Sequence, residues 1–418
     1  MGEEEEKAAI PLRRVRVENF GCLRDVEVEL TPLTVLVGPN DSGKSTLLRA
    51  LLTLSHAMKA ETGWDAVFRN ATALTAQTFD GKGGPVRFEQ AGQVGESLYS
   101  HQAQVTVEQE TVRSRAGRFV YDALQVWRTP EGLWHQDPSS DSPQGPFASD
   151  HELPLLHPYW FFANSSHVDE FRRLAALYQP ALPVLARLTS VQLYSLRPEH
   201  LRVSKQVGGA DRSESDQPLQ LTPSGAGLAQ AIADLLLTGR DILERIEDGL
   251  RRAMPQVKRI DVRQKRSTLE DGERYNLELV TRSGARIPSH AISDGVLLFL
   301  GYLYLVLGPD PASILLVEEP ETGIHPGLLR RLVQLFRDMT TGAHGGPPTQ
   351  IILTTHSPVL LNLVRPEEIR IFQRDEDGAT RVTPFMSVPD IEKLLDYEGP
   401  GEIWINEGEE YLVGNSRS

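Results

Sequence analysis

The stretch "VLVGPNDSGKSTLLRALL", residues 35–52, decides the fold class. An apolar run leads into a loop that holds two glycines, and a second apolar run with helical spacing follows. Gly38 is separated by four residues from Gly43–Thr46, which is the spacing of a phosphate-binding P-loop. Such a loop requires a strand before it and a helix after it. The sequence therefore predicts an α/β fold in which this loop follows a buried central strand.

The residue types in this loop indicate a nucleotide ligand. Backbone N–H groups of a glycine-rich turn and of a helix N-terminus surround phosphate groups. Lys44 would reach the outer phosphates, and the Ser45 hydroxyl would be a ligand of Mg²⁺. The plainer alternative is a tight turn with a serine helix cap. The residues predicted to bind nucleotide here are Gly38, Pro39, Asn40, Asp41, Ser42, Gly43, Lys44, Ser45 and Thr46.

A second motif, "SILLVEEPETGIHP" at 313–326, ends an apolar strand with two adjacent carboxylates. Glu318 is predicted to hold Mg²⁺, directly or through water, and Glu319 to orient and deprotonate the attacking water. Adjacent residues on a strand point to opposite sides, which would give the two carboxylates different roles. The alternative is that both acidic residues simply leave the strand for solvent.

A third motif, "IILTTHSP" at 351–358, ends another apolar strand close to His356. An imidazole there would hydrogen-bond the terminal phosphate and the attacking water. A lone histidine at a strand end is more often structural, but its place after the two other motifs favours the catalytic interpretation. The predicted catalytic residues are Lys44, Glu319 and His356.

A fourth motif, "HAISDGVLLFL" at 290–300, places a serine and a glycine at the start of an apolar helix. The plain interpretation is that Ser293 caps this helix. The second interpretation adds that the Ser293 hydroxyl, the Gly295 amide and the positive helix end form an anion site for a phosphate.

Length and composition indicate a globular protein in a reducing compartment. The chain has 418 residues, 40% of them hydrophobic, which is enough for one large or two modest domains. Its single cysteine, Cys22, cannot form an internal disulfide, so a cytoplasmic location and a core position for Cys22 are predicted. The longest apolar run, 296–308, is shorter than the roughly 20 residues that a membrane span requires. It predicts a buried helix.

The formal net charge of −14 disfavours non-specific binding to nucleic acid or to anionic membranes, so any DNA contact must be local. One candidate is "VKRIDVRQK", residues 257–265. If this segment is a strand, Asp261 interrupts a row formed by Arg259, Arg263 and Lys265. The opposite face carries Ile260, Val262 and Gln264. Such a row of cations would follow a phosphate backbone without reading bases. The alternative is an ordinary solvated strand face.

The motifs divide the chain into three parts. Helical spacing is clearest at 224–253, mobile loops are predicted at 137–150 and 207–218, and "DEDG" is predicted as a hairpin turn. The predicted parts are a first core segment at 1–85, an insertion with β strands, loops and helices at 86–255, and a second core segment at 256–418.

In chain order, "VENFGCLRDVEVEL", "GPNDSGKST", "ISDG", "ILLVEEPETGIHP" and "ILTTHSP" resemble the ABC-type ATPases of the SMC, RecF and OLD (overcoming lysogenization defect) group. The greatest resemblance is to the OLD-like, AAA-labelled ATPases, and it covers nearly the whole chain. It implies a P-loop NTPase fold of the ABC ATPase head type, with a mixed sheet, antiparallel N-terminal strands and a helical and β insertion. It also implies ATP and Mg²⁺ as ligands and a head-to-head homodimer.

By this resemblance, ATP bound by Lys44 and Ser45 of one subunit is capped by Ser293 and Gly295 of the other. Two features depart from the wider group. The signature is "SDG" where transporters have "SGGQ", which points away from transporters. Glu318 stands where the usual carboxylate is an Asp, which leaves the Mg²⁺ geometry open.

The resemblance also implies two further segments. Glu321 and His325 would lie in the D-loop at the subunit interface. The glutamine of the Q-loop stays open among Gln77, Gln90 and Gln93.

The predicted activity is the hydrolysis of ATP to ADP and phosphate. OLD nucleases carry a Toprim domain after the ATPase, but only about 60 residues follow His356, so an ATPase without its own nuclease is expected. ATP-gated dimerisation would control DNA or a separate effector protein, as in DNA repair or phage defence. One alternative is a transporter ATPase subunit, although roughly 250 residues between P-loop and signature are too many for one. The other is a non-hydrolysing, ATP-gated interaction module.

Overall fold

The computed structural model describes most of the 418-residue chain. The described residues are 12–59, 74, 76–81, 83–94, 96–108, 111–121, 124–129, 132–136, 144–147, 179–203, 221–266, 273–343 and 346–411. The loop predicted at 207–218 lies outside them, and of the loop predicted at 137–150 only Gln144–Phe147 is described, as a strand.

Six strands form the central sheet that carries the predicted motifs. In spatial order they are Val191–Tyr194, Ile314–Glu318, Gln350–Thr355, Leu33–Val37, Ile369–Arg374 and Thr380–Pro384. The first five are parallel, and the last is antiparallel to its neighbour. Because parallel strands end at one edge, the P-loop, Glu318 and His356 follow strands that lie side by side. The predicted α/β fold is confirmed.

A second sheet contains eight antiparallel strands. In spatial order they are Leu23–Glu29, Arg14–Phe20, Val86–Val94, Ser97–Glu108, Thr111–Tyr121, Leu124–Thr129, Gly132–Gln136 and Gln144–Phe147. The predicted N-terminal pair is confirmed, with Val17 opposite Val26. Its first strand also pairs with Val86–Val94, so one sheet joins strands from both sides of residue 85. The domain boundaries stay a prediction.

A small third sheet and the helices complete the described fold. The strands of the third sheet are Val257–Arg266, Glu273–Thr281 and Arg286–Pro288. The α-helices are Lys44–Lys59, Leu182–Thr189, Pro198–Leu201, Leu228–Thr238, Arg240–Ala253, Asp294–Leu307, Pro326–Thr340, Pro358–Leu361, Ile391–Leu395 and Pro400–Tyr411. The helical stretch predicted at 224–253 is therefore two helices, separated at Gly239. The predicted hairpin joins the last two strands of the central sheet.

Two apolar clusters cover the two faces of the central sheet, because side chains alternate along a strand. Val35 and Val37 belong to one cluster and Leu36 to the other. The helix Asp294–Leu307 lies in the first cluster with nearly all of its side chains buried, as predicted. None of the helices in the described residues has the length and apolar character needed to cross a membrane.

A buried histidine makes stability depend on pH. His101 is 3% exposed, its Nδ1 lies 3.1 Å from Gln90 Nε2, and burial lowers its pKa to about 4. The unfolded chain takes up this proton near pH 6.5, whereas the folded chain takes it up only near pH 4. We therefore expect His101 to lower the free energy of unfolding as the pH falls from 6.5 to 4, by about 3 kcal/mol in all.

This expectation is tested by urea unfolding of wild type and His101→Gln at several pH values. The variant should lose less stability than wild type over that range, and the exposed-site control His290→Gln should behave as wild type. Parallel curves for wild type and His101→Gln would show that His101 does not stay neutral in the folded chain.

Candidate nucleotide-binding site

The predicted P-loop is shaped by residues in the left-handed region. The φ angle is 153° at Gly38, 64° at Asp41 and 104° at Gly43. A Cβ atom at Gly38 would overlap the carbonyl oxygen of Phe372, and one at Gly43 would overlap Thr380 Oγ1. Both glycines are therefore required by space as well as by backbone conformation.

Lys44 is the first residue of its helix and is 6% exposed. Its Nζ donates to the carbonyl oxygens of Gly38 at 2.8 Å and Pro39 at 2.7 Å, and to Ser42 Oγ at 3.3 Å. The ammonium group thus lies within the curve of the loop, held by uncharged acceptors. Charged phosphate oxygens are stronger acceptors, so this lysine is placed to exchange carbonyls for phosphate.

The C-terminal hairpin holds the P-loop from outside, which the sequence did not indicate. Arg374 Nε donates to the carbonyl oxygen of Asp41 at 2.6 Å, and its guanidinium lies 3.0 Å from Asp41 Oδ1. Thr380 Oγ1 donates to the carbonyl oxygen of Ser42 at 2.9 Å. These contacts hold the backbone of Asp41, with its left-handed φ angle, and of Ser42.

The two adjacent carboxylates are separated by a turn. The strand ends at Glu318, and Glu319 has a φ of 45°, which is strained for a residue other than glycine. The Glu319 N–H donates to the carbonyl oxygen of Thr354 at 3.1 Å. The prediction that strand alternation separates the two side chains is therefore wrong, because Glu319 has already left the strand. Backbone strain of this kind is concentrated at functional sites.

His356 lies beside Glu319 and within the field of Lys44. Its Nε2 is 3.7 Å from Glu319 Oε1. Burial lowers the pKa of His356, the Lys44 charge lowers it further, and Glu319 opposes both. The lowered pKa favours the neutral form of the imidazole, in which one ring nitrogen is a hydrogen-bond acceptor. The structure thus brings the three predicted catalytic residues together.

Ser293 stands at the N-cap position of Asp294–Leu307, but its side chain makes no capping hydrogen bond. Its carbonyl oxygen accepts from the Leu297 N–H at 3.1 Å, so the predicted N-cap position is confirmed and only the side-chain bond is missing. The residue is exposed, so its hydroxyl is available to a ligand. Gly295 packs tightly, because a Cβ atom there would lie 3.0 Å from the carbonyl oxygen of Gly323.

Arg202 organises the segment before this helix, and no sequence pattern identified it. Its NH2 donates to Asp294 Oδ1 at 2.7 Å and to the carbonyl oxygen of Ile292 at 2.8 Å. The guanidinium offsets the negative charge that Asp294 places beside Ser293. An anion is therefore more easily accepted at this helix end than the sequence "SDG" indicates.

The two residues expected in the D-loop behave differently. Glu321 turns inward, and its Oε1 accepts from Thr355 Oγ1 at 2.7 Å and from the His356 N–H at 3.0 Å. Whether this segment meets a partner subunit stays a prediction. His325 is exposed and caps the helix Pro326–Thr340, its Nδ1 accepting from the Gly327 N–H at 3.2 Å.

The three candidates for the Q-loop glutamine differ in their positions and contacts. Gln90 is buried in the antiparallel sheet, and Gln93 lies on the same strand. The carbonyl oxygen of Gln77 accepts from the Gly21 N–H at 2.5 Å, and a Cβ atom at Gly21 would lie 2.8 Å from Thr46 Cγ2. These contacts of Gln77 are made by its main chain, so the choice of the Q-loop glutamine among the three stays open.

The strand predicted to meet DNA is present as Val257–Arg266. Ile260 is buried, whereas Arg259 and Arg263 are exposed, as the alternation predicted. The side chain of Lys265 lies outside the described residues.

The arginines of this strand are offset by carboxylates. Arg259 NH2 lies 3.3 Å from Asp261 Oδ2, and Arg263 Nε lies 3.1 Å from Glu278 Oε2. Glu278 comes from the neighbouring strand, and Arg286 pairs with Asp261 at 2.8 Å and with Glu278 at 2.9 Å. The predicted row of cations, interrupted by Asp261, thus has acidic partners that offset part of its charge, and contact with DNA stays a prediction.

The polar groups at the sheet edge suit Mg²⁺. The Ser45 hydroxyl and the Glu318 carboxylate are oxygen ligands, which this ion prefers. In the part of the chain that the structure describes, no group of three or more His, Cys, Asp or Glu residues could hold a metal ion.

Residues 33–362 match the family model described as "AAA domain, putative AbiEii toxin, Type IV TA system". This chain belongs to that AAA family. The matched region contains the P-loop, Ser293, the carboxylate pair and His356. The match covers more than three quarters of the chain, so the family assignment extends well beyond the P-loop alone.

A second comparison supports the predicted resemblance. A protein described as an OLD nuclease, from Thermus scotoductus, is 25% identical over an alignment of 385 residues, which covers 89% of this chain and 64% of that protein. The AAA-family chain thus spans 64% of the length of this curated relative. The predicted resemblance to OLD-like AAA ATPases is confirmed, whereas the lack of a nuclease domain stays a prediction.

Solved structures similar to this AAA-family chain include three SMC heads. The SMC head domain from Thermotoga maritima has a TM-score of 0.42 and 10% identity, covering 90% of this chain and 99% of that one. The SMC head bound to the C-winged helix domain of ScpA has a TM-score of 0.44 and 13% identity, covering 89% and 97%. The SMC head with an extended coiled coil, bound to the C-terminal domain of ScpA from Pyrococcus furiosus, has a TM-score of 0.42 and 11% identity, covering 92% and 99%.

Proposed function

We propose that this chain binds ATP with Mg²⁺ and hydrolyses it to ADP and phosphate. One observation carries the proposal: Glu319 and His356 lie 3.7 Å apart, and the charge of the P-loop residue Lys44 acts on the same histidine. A phosphate-binding cation, a carboxylate base and an imidazole are groups that can bind the phosphates, accept a proton and position the attacking water in phosphoryl transfer.

Each residue has a distinct role in the proposed reaction. Lys44 binds the outer phosphates and offsets their charge. Glu319 accepts a proton from the attacking water, and His356 positions that water and the terminal phosphate. Ser45 and Glu318 would hold Mg²⁺, which neutralises phosphate charge when it is bound.

We also propose that ATP joins two copies of the chain head to head. Ser293 of one subunit would then contact the phosphate bound to the P-loop of the other. The exposed hydroxyl of Ser293, free of any capping bond, and the compensation of Asp294 by Arg202 support this role. Both features leave the start of the helix Asp294–Leu307 able to accept an anion.

We propose that this ATP-dependent dimerisation controls an effector protein in the cytoplasm. The net charge of −14 disfavours DNA as the direct partner, because a field of that sign repels phosphates. The family description names a toxin and the relative is described as a nuclease, which supports a defence role more than repair. The free, buried Cys22 fits a reducing compartment.

Replacing Ser293 with Arg is expected to block ATP-dependent dimerisation while ATP affinity changes by no more than about threefold, since the P-loop is separate from this site. The bulky side chain would occupy the place of the partner's phosphate. Light scattering with and without ATP, in the background of Glu319→Gln to prevent turnover, measures dimer formation, and calorimetry measures affinity.

The matched control is Ser283→Arg, which places the same side chain in an exposed turn away from the helix. It should dimerise as wild type does. Normal dimerisation of the Ser293→Arg chain would contradict the composite site while leaving the ATPase proposal intact. A wild-type chain that binds ATP but releases no phosphate would instead favour a non-hydrolysing interaction module.

A further inference from the structure

Glu321 is attached to the loop that carries His356. Its Oε1 accepts from both Thr355 Oγ1 and the His356 N–H, at 2.7 Å and 3.0 Å. Thr355 is fully buried, and its Oγ1 also accepts from the Ser357 N–H at 3.0 Å. One carboxylate oxygen therefore fixes the backbone on both sides of the histidine.

The other oxygen of Glu321 is left without a partner. Oε2 is buried and makes no hydrogen bond within the described residues, and burial raises the pKa of this carboxyl group. Burial of a carboxylate with one unsatisfied oxygen is unfavourable for folding. Folding stability therefore does not explain why a glutamate stands here. The two hydrogen bonds from Glu321 to the histidine loop do explain it.

The segment that contains Glu321 also contacts the helix that begins after Ser293. The Glu321 carbonyl oxygen accepts from the Ile324 N–H at 3.0 Å, which forms a tight turn. The carbonyl oxygen of Gly323, within this turn, lies so near Gly295 that a Cβ atom there would be 3.0 Å away. A movement at the start of the helix would consequently be transmitted to Glu321 through packed backbone.

We propose that Glu321 is a positioning residue, which holds His356 beside Glu319 and links that histidine to the helix start at Ser293. This inference rests on the proposed ATPase function. Glu321 does not take the proton in the reaction. Its Oε1 acts as an acceptor that sets the position of the histidine backbone, and an uncharged oxygen of the same shape can do this as well.

The test compares Glu321→Ala with Glu321→Gln. The alanine variant should lose about 10²-fold in kcat with little change in ATP affinity, because a catalytic group is displaced but the P-loop is not. The glutamine variant should keep kcat within about threefold of wild type, because its amide oxygen accepts the same two bonds. Equal losses in both variants would overturn the proposal, and so would an alanine variant with normal kcat. Glu376→Ala, at an exposed hairpin position, is the control.

A second measurement does not depend on turnover. The imidazole of His356 is followed by NMR during a pH titration and is identified by the signal missing in His356→Gln. Its lowered pKa should persist in Glu321→Gln and return toward the ordinary value of 6.5 in Glu321→Ala. An unchanged titration in the alanine variant would overturn the positioning role. If wild type released no phosphate, the ATPase proposal would fail while this titration still decided the role of Glu321.

Thr355→Val tests the same link from the other side. It removes the hydroxyl that donates to Glu321 but keeps the shape of the side chain. The valine variant should lower kcat, and adding it to Glu321→Ala should cause no further loss, because both changes break one connection. Additive losses in the double variant would contradict the proposal. This variant also carries the test if the alanine variant does not fold.

Discussion

Glu319→Gln is expected to lower ATP turnover by about 10²–10⁴-fold while ATP still binds. The amide keeps the size of the side chain but cannot take a proton from the attacking water. The backbone of Glu319, with its φ of 45°, is held by a hydrogen bond from its own N–H to Thr354, which the substitution does not touch. Steady-state phosphate release and calorimetric ATP binding measure the two effects separately.

The matched control is Glu376→Gln, the same change at an exposed hairpin position. It should hydrolyse ATP as wild type does. If Glu319→Gln kept its rate within about twofold, far below the usual effect of losing a general base, Glu319 would not be the base. With ATP present, Glu319→Gln should accumulate as a dimer, because the bound ATP that joins the subunits is no longer hydrolysed.

Lys44→Ala is expected to abolish ATP binding. The lysine supplies a full positive charge to a loop whose other groups are backbone dipoles, and it already lies within the curve of that loop. Loss of the ammonium leaves the phosphate charge without its strongest partner. Calorimetry with ATP and Mg²⁺ should detect no binding.

The control for this change lies on the same helix. Lys59 is the last residue of Lys44–Lys59 and is exposed, so Lys59→Ala removes one charge without altering the loop. It should bind ATP with wild-type affinity. An unchanged affinity in Lys44→Ala would rule out the assignment of this loop as the ATP site.

The sequence predicted the parts of the site that depend on short segments. The P-loop spacing requires a strand before it and a helix after it, so the motif by itself predicted the strand, loop and helix of residues 35–52. Glu318 and His356 each ended an apolar run typical of a strand, and the structure makes these runs neighbouring parallel strands, which end at one edge. The predicted meeting of these groups thus followed from local patterns and one rule of sheet geometry.

The remaining features depend on contacts between distant segments or on single backbone angles. Arg374 and Asp41 are 333 positions apart, and nothing in either segment indicates the other. The left-handed angle at Glu319 is disfavoured for its residue type, so propensity argues against it. Glu278 neutralises Arg263 only because the third sheet places their strands side by side.

The central claim is that two copies of this chain share each ATP site, and a mixture of two inactive variants tests it most directly. Lys44→Ala keeps an intact Ser293, and Ser293→Arg keeps an intact P-loop. A mixed dimer of the two therefore contains one complete site and one site with both defects. Phosphate release is measured for each variant alone and for the mixture, with subunit-specific tags to confirm that mixed dimers form. The account predicts that each variant alone is inactive and that the mixture recovers part of the wild-type rate. No recovery in confirmed mixed dimers, or full activity of Ser293→Arg by itself, would contradict it.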